Sequence, residues 1–342
     1  MSMIPLSRTT LKTESWQQQL GTAYCKIEEL LFDLDLTAHY SPELEAAAKS
    51  FAFRVPRYFA GLMKKADIHD PLLQQVLPIT AELEHHDGFS LDPLADQAAH
   101  RGNGILHKYH GRVLLITTGA CAINCRYCFR RHFPYAEHQA LKNEWSHTLS
   151  QISADPSIHE VILSGGDPLV LSNERLHRLL QGLNHIPHLK RLRIHTRLPV
   201  VLPARIETQF LELFANNSLL TSMVIHANHP NELTECLKQS LAPLRNLGIT
   251  LLNQSVLLKN INDTLATQVA LAESLFELGV LPYYLHQLDK VEGAAHFAVE
   301  DDEAIRLHRR MEHQLPGYLL PRLVREIAGE KSKQALSRSQ NQ

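Results

Sequence analysis

Cysteine is scarce in this chain, with five among 342 residues. So few thiols exclude a disulfide-stapled scaffold of the kind that small secreted proteins use. Two of them, Cys25 and Cys236, stand alone in helix-like segments. A free cysteine of this kind usually behaves as a small hydrophobic residue, so both are expected to be buried.

Charge imbalance and long hydrophobic runs are also missing. The net charge is only -2, which gives no broad basic face for nucleic acid. No apolar run approaches the roughly 20 residues that a membrane helix needs. The first residues, MSMIPLSRTTLKTESWQQQL, contain no hydrophobic signal core. We therefore expect a cytoplasmic protein without nucleic-acid or membrane partners.

The order of the hydrophobic patterns predicts an α/β fold with three regions. Residues 1–100 read as helical and irregular, residues 101–295 as alternating strands and amphipathic helices, and residues 296–342 as a C-terminal segment. Short β-rich runs recur about every 30 residues, the spacing of βα units in a parallel sheet. The six predicted strands are 112–118, 160–165, 191–196, 222–227, 249–258 and 281–288. Because eight units close a full barrel, six predict a partial (βα)6 barrel, with a doubly wound sheet as the alternative.

Three of the five cysteines lie together in CAINCRYCFRRHFP, as Cys121, Cys125 and Cys128. A structural zinc site uses four protein ligands, and a catalytic one uses three with an open position. His132 keeps a zinc site of three cysteines and one histidine open as an alternative. Iron–sulfur clusters are usually held by four thiolates, so a 4Fe–4S cluster with three would leave one iron open to an exogenous ligand.

The spacing C-x3-C-x2-C directly after a predicted strand, with Tyr127 before the last cysteine, resembles the radical S-adenosylmethionine (SAM) superfamily. In that superfamily the amino and carboxylate groups of SAM chelate the open iron. An electron from the cluster then cleaves the sulfonium and gives a 5′-deoxyadenosyl radical. The resemblance thus implies a 4Fe–4S cluster, SAM and an external electron donor.

Polar residues also follow the later predicted strands, where an α/β fold places its functional groups. In SGGDPL, two glycines allow a close backbone approach, and exposed N–H groups can bind a carboxylate or a ribose. Alone this segment is explained equally well as a turn, but the cysteine motif upstream favours ligand contact. The candidate cofactor-binding residues on this rim are Ser164, Gly165, Gly166, Asp167, His195, Arg197, His226, Asn228 and Gln254.

Longer motifs narrow the resemblance. They occur in the order LHKYHGRVLLITTGACAINCRYCFRRHFPYAE, SGGDPL, RIHTRLPVVLPARI, NQSVLL, PYYLHQLDKVEGAAHF and GYLLPRLVREIAGEKSK. Together they resemble the lysine 2,3-aminomutase family over about residues 50–335. The short chain and the GEKSK motif look most like the branch concerned with (R)-β-lysylation of elongation factor P.

This resemblance implies a third cofactor, pyridoxal 5′-phosphate (PLP), held as a Schiff base on Lys333. Lys331 is the competing position because the motif is short. The resemblance also implies that Arg112 and Lys108 bind the phosphate, although Lys108 stands where the family has arginine. Lysine offers a phosphate a point charge but lacks the bidentate fork of arginine.

The resemblance further implies how a substrate is held. Arg130 matches the residue that binds the α-carboxylate, and Asp289 and Glu326 match two carboxylates that bracket the ε-ammonium of lysine. The family favours aspartate at the position of Glu326, and the extra methylene leaves the fit to lysine open. The expected reaction is a PLP-assisted radical 1,2-amino shift that converts L-lysine to (R)-β-lysine, with a functional link to elongation factor P and its lysyl-ligase.

Two alternatives remain open at this point. The chain could be a stand-alone aminomutase that acts on another amino acid or in lysine metabolism. It could also be an iron–sulfur electron-transfer or binding protein whose cluster never meets SAM. SGGDPL and the two carboxylates disfavour the carrier, because electron transfer needs neither, and formation of 5′-deoxyadenosine distinguishes the two classes.

Overall fold

The computed structural model describes residues 14–135, 145–215 and 217–337. Residues 1–13 of the predicted N-terminal region and residues 338–342 of the predicted C-terminal segment lie outside the described residues. One hydrophobic core joins Leu30 and Phe59 of the N-terminal region to the strand residues Val113 and Val161. In the described ranges, no helix combines the length and the hydrophobicity that crossing a bilayer requires.

Nine strands of the described chain form one sheet, and their order in the sheet is their order in the sequence. They are β1 (Ile105–Tyr109), β2 (Arg112–Thr118), β3 (Glu160–Gly165), β4 (Arg191–Thr196), β5 (Leu220–Ile225), β6 (Thr250–Val256), β7 (Leu281–His286), β8 (Arg322–Arg325) and β9 (Gln334–Ala335). Strands β2 to β8 pair in parallel, whereas β1 and β9 pair antiparallel at the two edges. This sequential parallel order confirms the partial barrel. A doubly wound sheet reverses its strand order midway, so that alternative is wrong.

The six predicted strands correspond to β2 through β7. The observed bounds equal the predicted ones for β2, β3 and β4, and those of β5, β6 and β7 differ by no more than two residues. The sequence did not predict β8, a parallel strand of four residues within the C-terminal segment. That segment therefore extends the barrel by one strand and then returns along its edge as β9.

Among the described residues, five helices precede the sheet, and the later ones lie between its parallel strands. They are α1 (Trp16–Gly21), α2 (Ile27–Asp33), α3 (Pro42–Ser50), α4 (Arg57–Ala60), α5 (Pro71–Gln74), α6 (Ser146–Ala154), α7 (Asn173–Asn184), α8 (Leu198–Val201), α9 (Thr208–Ala215), α10 (Glu235–Asn246), α11 (Leu265–Glu277) and α12 (Asp301–Glu312). Helix α7 shows how the sequence sets such an element. The Ser172 hydroxyl accepts the Arg175 N–H as an N-cap. The buried face recurs at helical spacing, as Leu176, Leu179, Leu180 and Leu183.

The two faces of the barrel strands differ in polarity, because alternate side chains point to opposite faces. One face packs into the core with the helices, and it includes Val113, Leu115, Val161, Leu163, Leu192 and Ile194. The alternate positions include polar residues such as Arg112, Glu160, Arg193, His195 and Gln254. The barrel interior therefore combines these polar groups with buried apolar residues such as Ile116, Ile162 and Val224.

Cys25 and Cys236 are both exposed, so the expectation that they are buried is wrong. Cys236 lies in the first turn of α10, whose buried face begins at the next residue, Leu237, and continues through Leu241. Adjacent residues of a helix point about 100° apart, so Cys236 faces solvent.

Candidate active site

The clustered cysteines lie on the loop that follows β2, and the N-terminal region holds this loop in place. Glu82 accepts hydrogen bonds from Arg126 Nε at 2.8 Å and from Arg131 Nη2 at 2.7 Å. The carbonyl of Gln75 accepts the Arg126 backbone N–H at 2.9 Å. Glu82 and Arg126 are buried, so this pairing is shielded from water and fixes the loop against the helices.

The thiols of Cys121, Cys125 and Cys128 are free. Burial raises the pKa of Cys121 well above its ordinary value, and the neighbouring Cys128 raises it further. Burial and then Cys125 raise the pKa of Cys128 to about 11. Each of these two thiols is thus near enough to the other cysteines to feel their charge, and the role of the three as the ligands of one iron–sulfur cluster stays a prediction.

A zinc site is less well supported. In the part of the chain that the structure describes, no three His, Cys, Asp or Glu side chains, the three clustered cysteines included, are arranged to hold a single metal ion. His132, the candidate fourth ligand, instead has its Nε2 atom 3.2 Å from the carbonyl oxygen of Glu292.

The SGGD segment after β3 packs directly against the cysteine loop. A Cβ on Gly165, whose φ is +117°, would lie 2.7 Å from the Thr118 carbonyl oxygen, and one on Gly166 would lie 2.3 Å from that of Ala120. The N–H groups of Gly166 and Asp167 donate to these two carbonyls at 2.6 and 2.9 Å. Both glycines are thus required by a backbone contact, and these two N–H groups bind the cysteine loop. Ligand binding by this segment stays a prediction.

Asp167 joins the loops that follow β3 and β4. Its carboxylate accepts the Thr196 hydroxyl at 2.7 Å and the backbone N–H groups of Arg197 at 2.7 Å and Leu198 at 2.9 Å. The Leu169 N–H adds a fourth contact at 3.0 Å. Asp167 therefore fixes the backbone of Arg197.

The buried Arg197 side chain reaches the cysteine loop. Its Nη1 donates to Cys125 Sγ at 2.7 Å, and its Nη2 contacts Gln75 Oε1 at 2.8 Å and Glu232 Oε2 at 3.1 Å. Burial opposes its charge, but Cys125, Tyr127 and Glu232 outweigh this and raise the pKa of Arg197. Arg197 is therefore a permanent cation beside Cys125, one of the three clustered cysteines.

Asn228 completes the same buried network. Its Nδ2 donates to Tyr127 Oη at 2.7 Å and to Gln75 Oε1 at 2.9 Å. Its Oδ1 accepts the Val256 N–H at 2.9 Å. Asn228 thus ties the ends of β5 and β6 to the cysteine loop.

Three histidines lie near Lys333, at or just after the ends of β4, β5 and β7. The ring centroids of His195 and His226 are 6.2 Å apart, and Gln254 Nε2 lies 2.8 Å from His226 Nε2. Burial lowers the pKa of His195, His226 and His286, with a further contribution from Lys333, and His226 falls to about 3. All three are therefore neutral imidazoles. Among the described residues, Nε2 of His195 and of His286 is buried without a hydrogen-bond partner.

A continuous charge ladder crosses the barrel beside these histidines. Its contacts are Arg130 Nε to Asp96 Oδ2 at 2.7 Å, Asp96 Oδ1 to Lys108 Nζ at 2.5 Å, Lys108 Nζ to Glu326 Oε1 at 3.2 Å, and Glu326 Oε2 to Lys333 Nζ at 2.6 Å. At the first end of the ladder, Arg130 Nη1 also donates to the Ser164 hydroxyl at 3.3 Å. The ladder brings Arg130, Glu326 and Lys333, which the sequence placed in one site, into one chain of contacts.

Asp289 lies beside the ladder and has no fixed charge at neutral pH. Burial raises its pKa to about 7, and the nearby Glu326 carboxylate acts in the same direction. Glu326 behaves in the opposite way. Burial disfavours its charge, but Lys333 and Lys108 outweigh burial and lower its pKa to about 2.

The remaining sequence candidates are the two tail lysines and Arg112. Lys333 is half-buried, with Nζ 5.9 Å from the centre of the Tyr284 ring, whereas Lys331 is exposed. Arg112 is the first residue of β2, and its guanidinium lies 5.1 Å from the centre of the Tyr109 ring. The geometry thus favours Lys333 over Lys331.

Comparisons with known proteins agree with this site. The family model for the Radical SAM superfamily matches residues 115–264. A protein named L-lysine 2,3-aminomutase from Escherichia coli (strain K12) is 50% identical over 328 residues, which is 96% of each chain. The chain belongs to the L-lysine 2,3-aminomutase family. A Haemophilus influenzae protein of the same name is 45% identical over 97% of this chain and 98% of its own. One from Clostridium subterminale is 31% identical over 92% of this chain and 76% of its own.

Sequence reasoning missed four residues of this aminomutase-family site. Gln75 and Glu82 hold the cysteine loop, Asp96 lies in the charge ladder, and His286 faces Lys333. The first three come from a region without any catalytic motif, and their role follows only from contacts across the fold. His286 had a usable signal, because it lies two positions before the end of the predicted strand 281–288, much as His195 lies one position before the end of 191–196.

Proposed function

We propose that this protein converts free L-lysine to (R)-β-lysine by a radical 1,2-amino shift. The observation that carries the proposal is the charge ladder, which joins a carboxylate-binding arginine to the lysine assigned to PLP. The 50% identity to a protein named L-lysine 2,3-aminomutase supports the same reaction. The residues that match the family's functional positions have the expected charge, with a cation at Arg130 and Lys333 and a carboxylate at Glu326.

The residues present fit the three cofactors of the reaction. Cys121, Cys125 and Cys128 would hold a 4Fe–4S cluster with one iron open to SAM. Lys333 would hold PLP, with Arg112 as a cation for its phosphate. Bound there, the cluster with SAM would supply a 5′-deoxyadenosyl radical, and PLP a conjugated ring that delocalises the spin during nitrogen migration.

The protein's own residues bind and orient the substrate. Arg130 presents a fixed guanidinium for the α-carboxylate, because Asp96 holds its Nε and Ser164 accepts from its Nη1, which leaves Nη2 and the second N–H of Nη1 available. Glu326 and Asp289 provide carboxylates for the ε-ammonium at the other end. Two opposite charges at the two ends of lysine select a free amino acid over one attached to a protein through its α-carboxyl group.

The same residues suit a reaction that water must not enter. The neutral histidines near Lys333 contribute no competing charge, and they offer N–H or lone-pair contacts to a bound ligand. Arg197 and Asn228 close the network under the cysteine loop. The barrel interior thus holds a ligand by directed polar contacts, which is how an enzyme limits side reactions of a reactive species.

Beyond the reaction itself, we propose that the product serves modification of elongation factor P. The support is the resemblance of the GEKSK motif and its neighbours to that branch of the family. In this role the protein would be linked to elongation factor P and its lysyl-ligase, and it would require an external electron donor.

The test is anaerobic reconstitution with iron, sulfide and PLP, followed by addition of dithionite, SAM and L-lysine. We expect both 5′-deoxyadenosine and (R)-β-lysine, identified by chiral chromatography and mass spectrometry. 5′-Deoxyadenosine without β-lysine, but with amino shift on another amino acid, would overturn the substrate. A reducible cluster without any 5′-deoxyadenosine would indicate an electron carrier instead. Transfer of the β-lysine to elongation factor P in a coupled assay with the ligase tests the physiological role.

A further inference from the structure

Lys108 was expected to bind the phosphate of PLP, but three protein oxygens surround its ammonium. They belong to Asp96 at 2.5 Å, the carbonyl of Leu94 at 2.9 Å and Glu326 at 3.2 Å. Two of the three N–H groups of the ammonium thus donate hydrogen bonds, to Leu94 and Glu326, and the contact with Asp96 is an ion pair. The Lys108 side chain is only 19% exposed, so little of it remains open to another ligand.

The local charge also opposes phosphate binding at this position. The single positive charge of Lys108 faces the carboxylates of Asp96 and Glu326, whose pKa values are both held below their usual range. Both charged groups in contact with the Lys108 ammonium are therefore anionic at neutral pH, while the cations of the ladder that balance them, Arg130 and Lys333, lie on the far sides of these carboxylates. A phosphate dianion that approached Lys108 would be repelled by two carboxylates.

Arg112 differs from Lys108 in this respect. Its guanidinium lies against the Tyr109 ring at 5.1 Å. No carboxylate in the described residues pairs with it within 4.0 Å. Arg112 thus keeps its N–H groups available for the bidentate contact that suits a phosphate.

We propose that Asp96 and Lys108 form a positioning bridge that holds the substrate-binding residues Arg130 and Glu326, and that Lys108 does not bind the cofactor phosphate. The inference rests on the proposed function, since it assigns roles within that site. Asp96 contacts Arg130 on one side and Lys108 on the other, while Lys108 touches both Asp96 and Glu326. The bridge therefore sets the distance between the groups that bind the two ends of lysine.

The test separates phosphate binding from lysine positioning without turnover. Anaerobic protein is titrated with PLP and with pyridoxal, which lacks the phosphate, and cofactor absorbance gives both dissociation constants. The ratio of the two constants reports the phosphate contact alone. L-Lysine is then titrated into the PLP-loaded protein without SAM, and the spectral change gives its affinity.

For Lys108→Gln and Asp96→Asn we expect the ratio of the pyridoxal and PLP dissociation constants to stay unchanged. Lysine should bind more weakly, by about tenfold or more, because one partner of a buried charge pair is lost. Lys108→Arg, which keeps the charge, should retain most of the lysine affinity. The matched control is Arg112→Gln, which should lower the ratio about tenfold or more, because a hydrogen bond to a charged group is lost.

Three results would overturn parts of this picture in different ways. If Lys108→Gln lowers the pyridoxal-to-PLP ratio as much as Arg112→Gln does, Lys108 binds the phosphate and the inference fails. If Lys108→Gln and Asp96→Asn both leave lysine affinity unchanged, the bridge has no positioning role. If the unmodified protein binds neither PLP nor lysine, the proposed function fails instead. Circular dichroism checks folding, and Lys108→Arg with Asp96→Asn keeps the test valid should Lys108→Gln misfold.

Discussion

Arg197 Nη1 donates a hydrogen bond to the Sγ atom of Cys125 over 2.7 Å, so a buried cation touches one of the three cluster cysteines. Positive charge and hydrogen bonds at the sulfurs favour the reduced state of an iron–sulfur cluster. We therefore expect Arg197→Lys, which loses the planar fork, to shift the cluster midpoint potential to a more negative value. Redox titration monitored by electron paramagnetic resonance measures it. Arg309→Gln on the exposed side of α12 is the control, and an equal shift in both variants would contradict the assignment.

The three clustered cysteines should account for all of the bound iron. The reconstituted protein is expected to hold about four iron and four sulfide per chain. Replacing Cys121, Cys125 or Cys128 by alanine should abolish the cluster absorbance. The exposed Cys25 and Cys236 supply matched controls, since their alanine variants should keep the full iron content. A fully active protein that contained only zinc would refute the cluster.

Lys333 should carry the cofactor. Borohydride reduction of the PLP-loaded protein is expected to label the peptide that contains Lys333, which peptide mapping by mass spectrometry identifies. Lys333→Ala should lose the cofactor absorbance, whereas Lys331→Ala should keep it because Lys331 is exposed. A label on Lys331 would show that the chosen register is wrong.

Lysine binding should depend on pH through Asp289. Its pKa is raised to about 7, so the carboxylate form, which attracts an ammonium, is present above that pH and is lost as pH falls. Glu326, with a pKa of about 2, stays ionised throughout. The KM for lysine should therefore rise as pH falls through about 7. Asp289→Asn should raise the KM at high pH and remove the dependence, and a variant that retained the inflection would exclude Asp289 as its source.

Glu82 should be essential for both stability and cluster uptake. It is the buried partner of Arg126 and Arg131, and loss of one partner of such a pair typically costs about 3–5 kcal/mol. Glu82→Ala is thus expected to lower the free energy of unfolding by about that amount and to reduce iron incorporation. Urea denaturation and iron analysis measure the two effects. Glu84→Ala, at an exposed position nearby, should change neither.

Much of the barrel could be predicted from the sequence, because each βα unit carries its own periodic signal. The runs at 112–118, 160–165 and 191–196 became strands with the same bounds. Strand β8 escaped prediction because four residues, RLVR, are too short to show an alternation. Its pairing with β7 comes from the fold, which places Leu285 opposite Leu323.

The site was predictable only where a local motif existed. The cysteine spacing could be found by reading the chain, whereas Lys333 was singled out only by the family resemblance. The geometry brings Lys333 to Glu326. Asp96 could not, since it lies 34 positions from Arg130 in a stretch without a motif. The role of Lys108 could not be read either, because its three oxygens come from residues as far apart as Leu94 and Glu326.

The way Lys333 is attached to the fold has a consequence for how the cofactor enters. The lysine precedes β9, a strand of only two residues at the edge of the sheet, which pairs Val324 with Ala335 and Arg325 with Gln334 and is followed by one more hydrogen bond, from the Leu336 N–H to the Leu323 carbonyl at 3.1 Å. Separating so short a pairing requires only local unfolding, which costs far less than global unfolding. We therefore expect the segment to detach and redock while the barrel stays folded, which would let pyridoxal phosphate proposed to be held on Lys333 be replaced without refolding the protein.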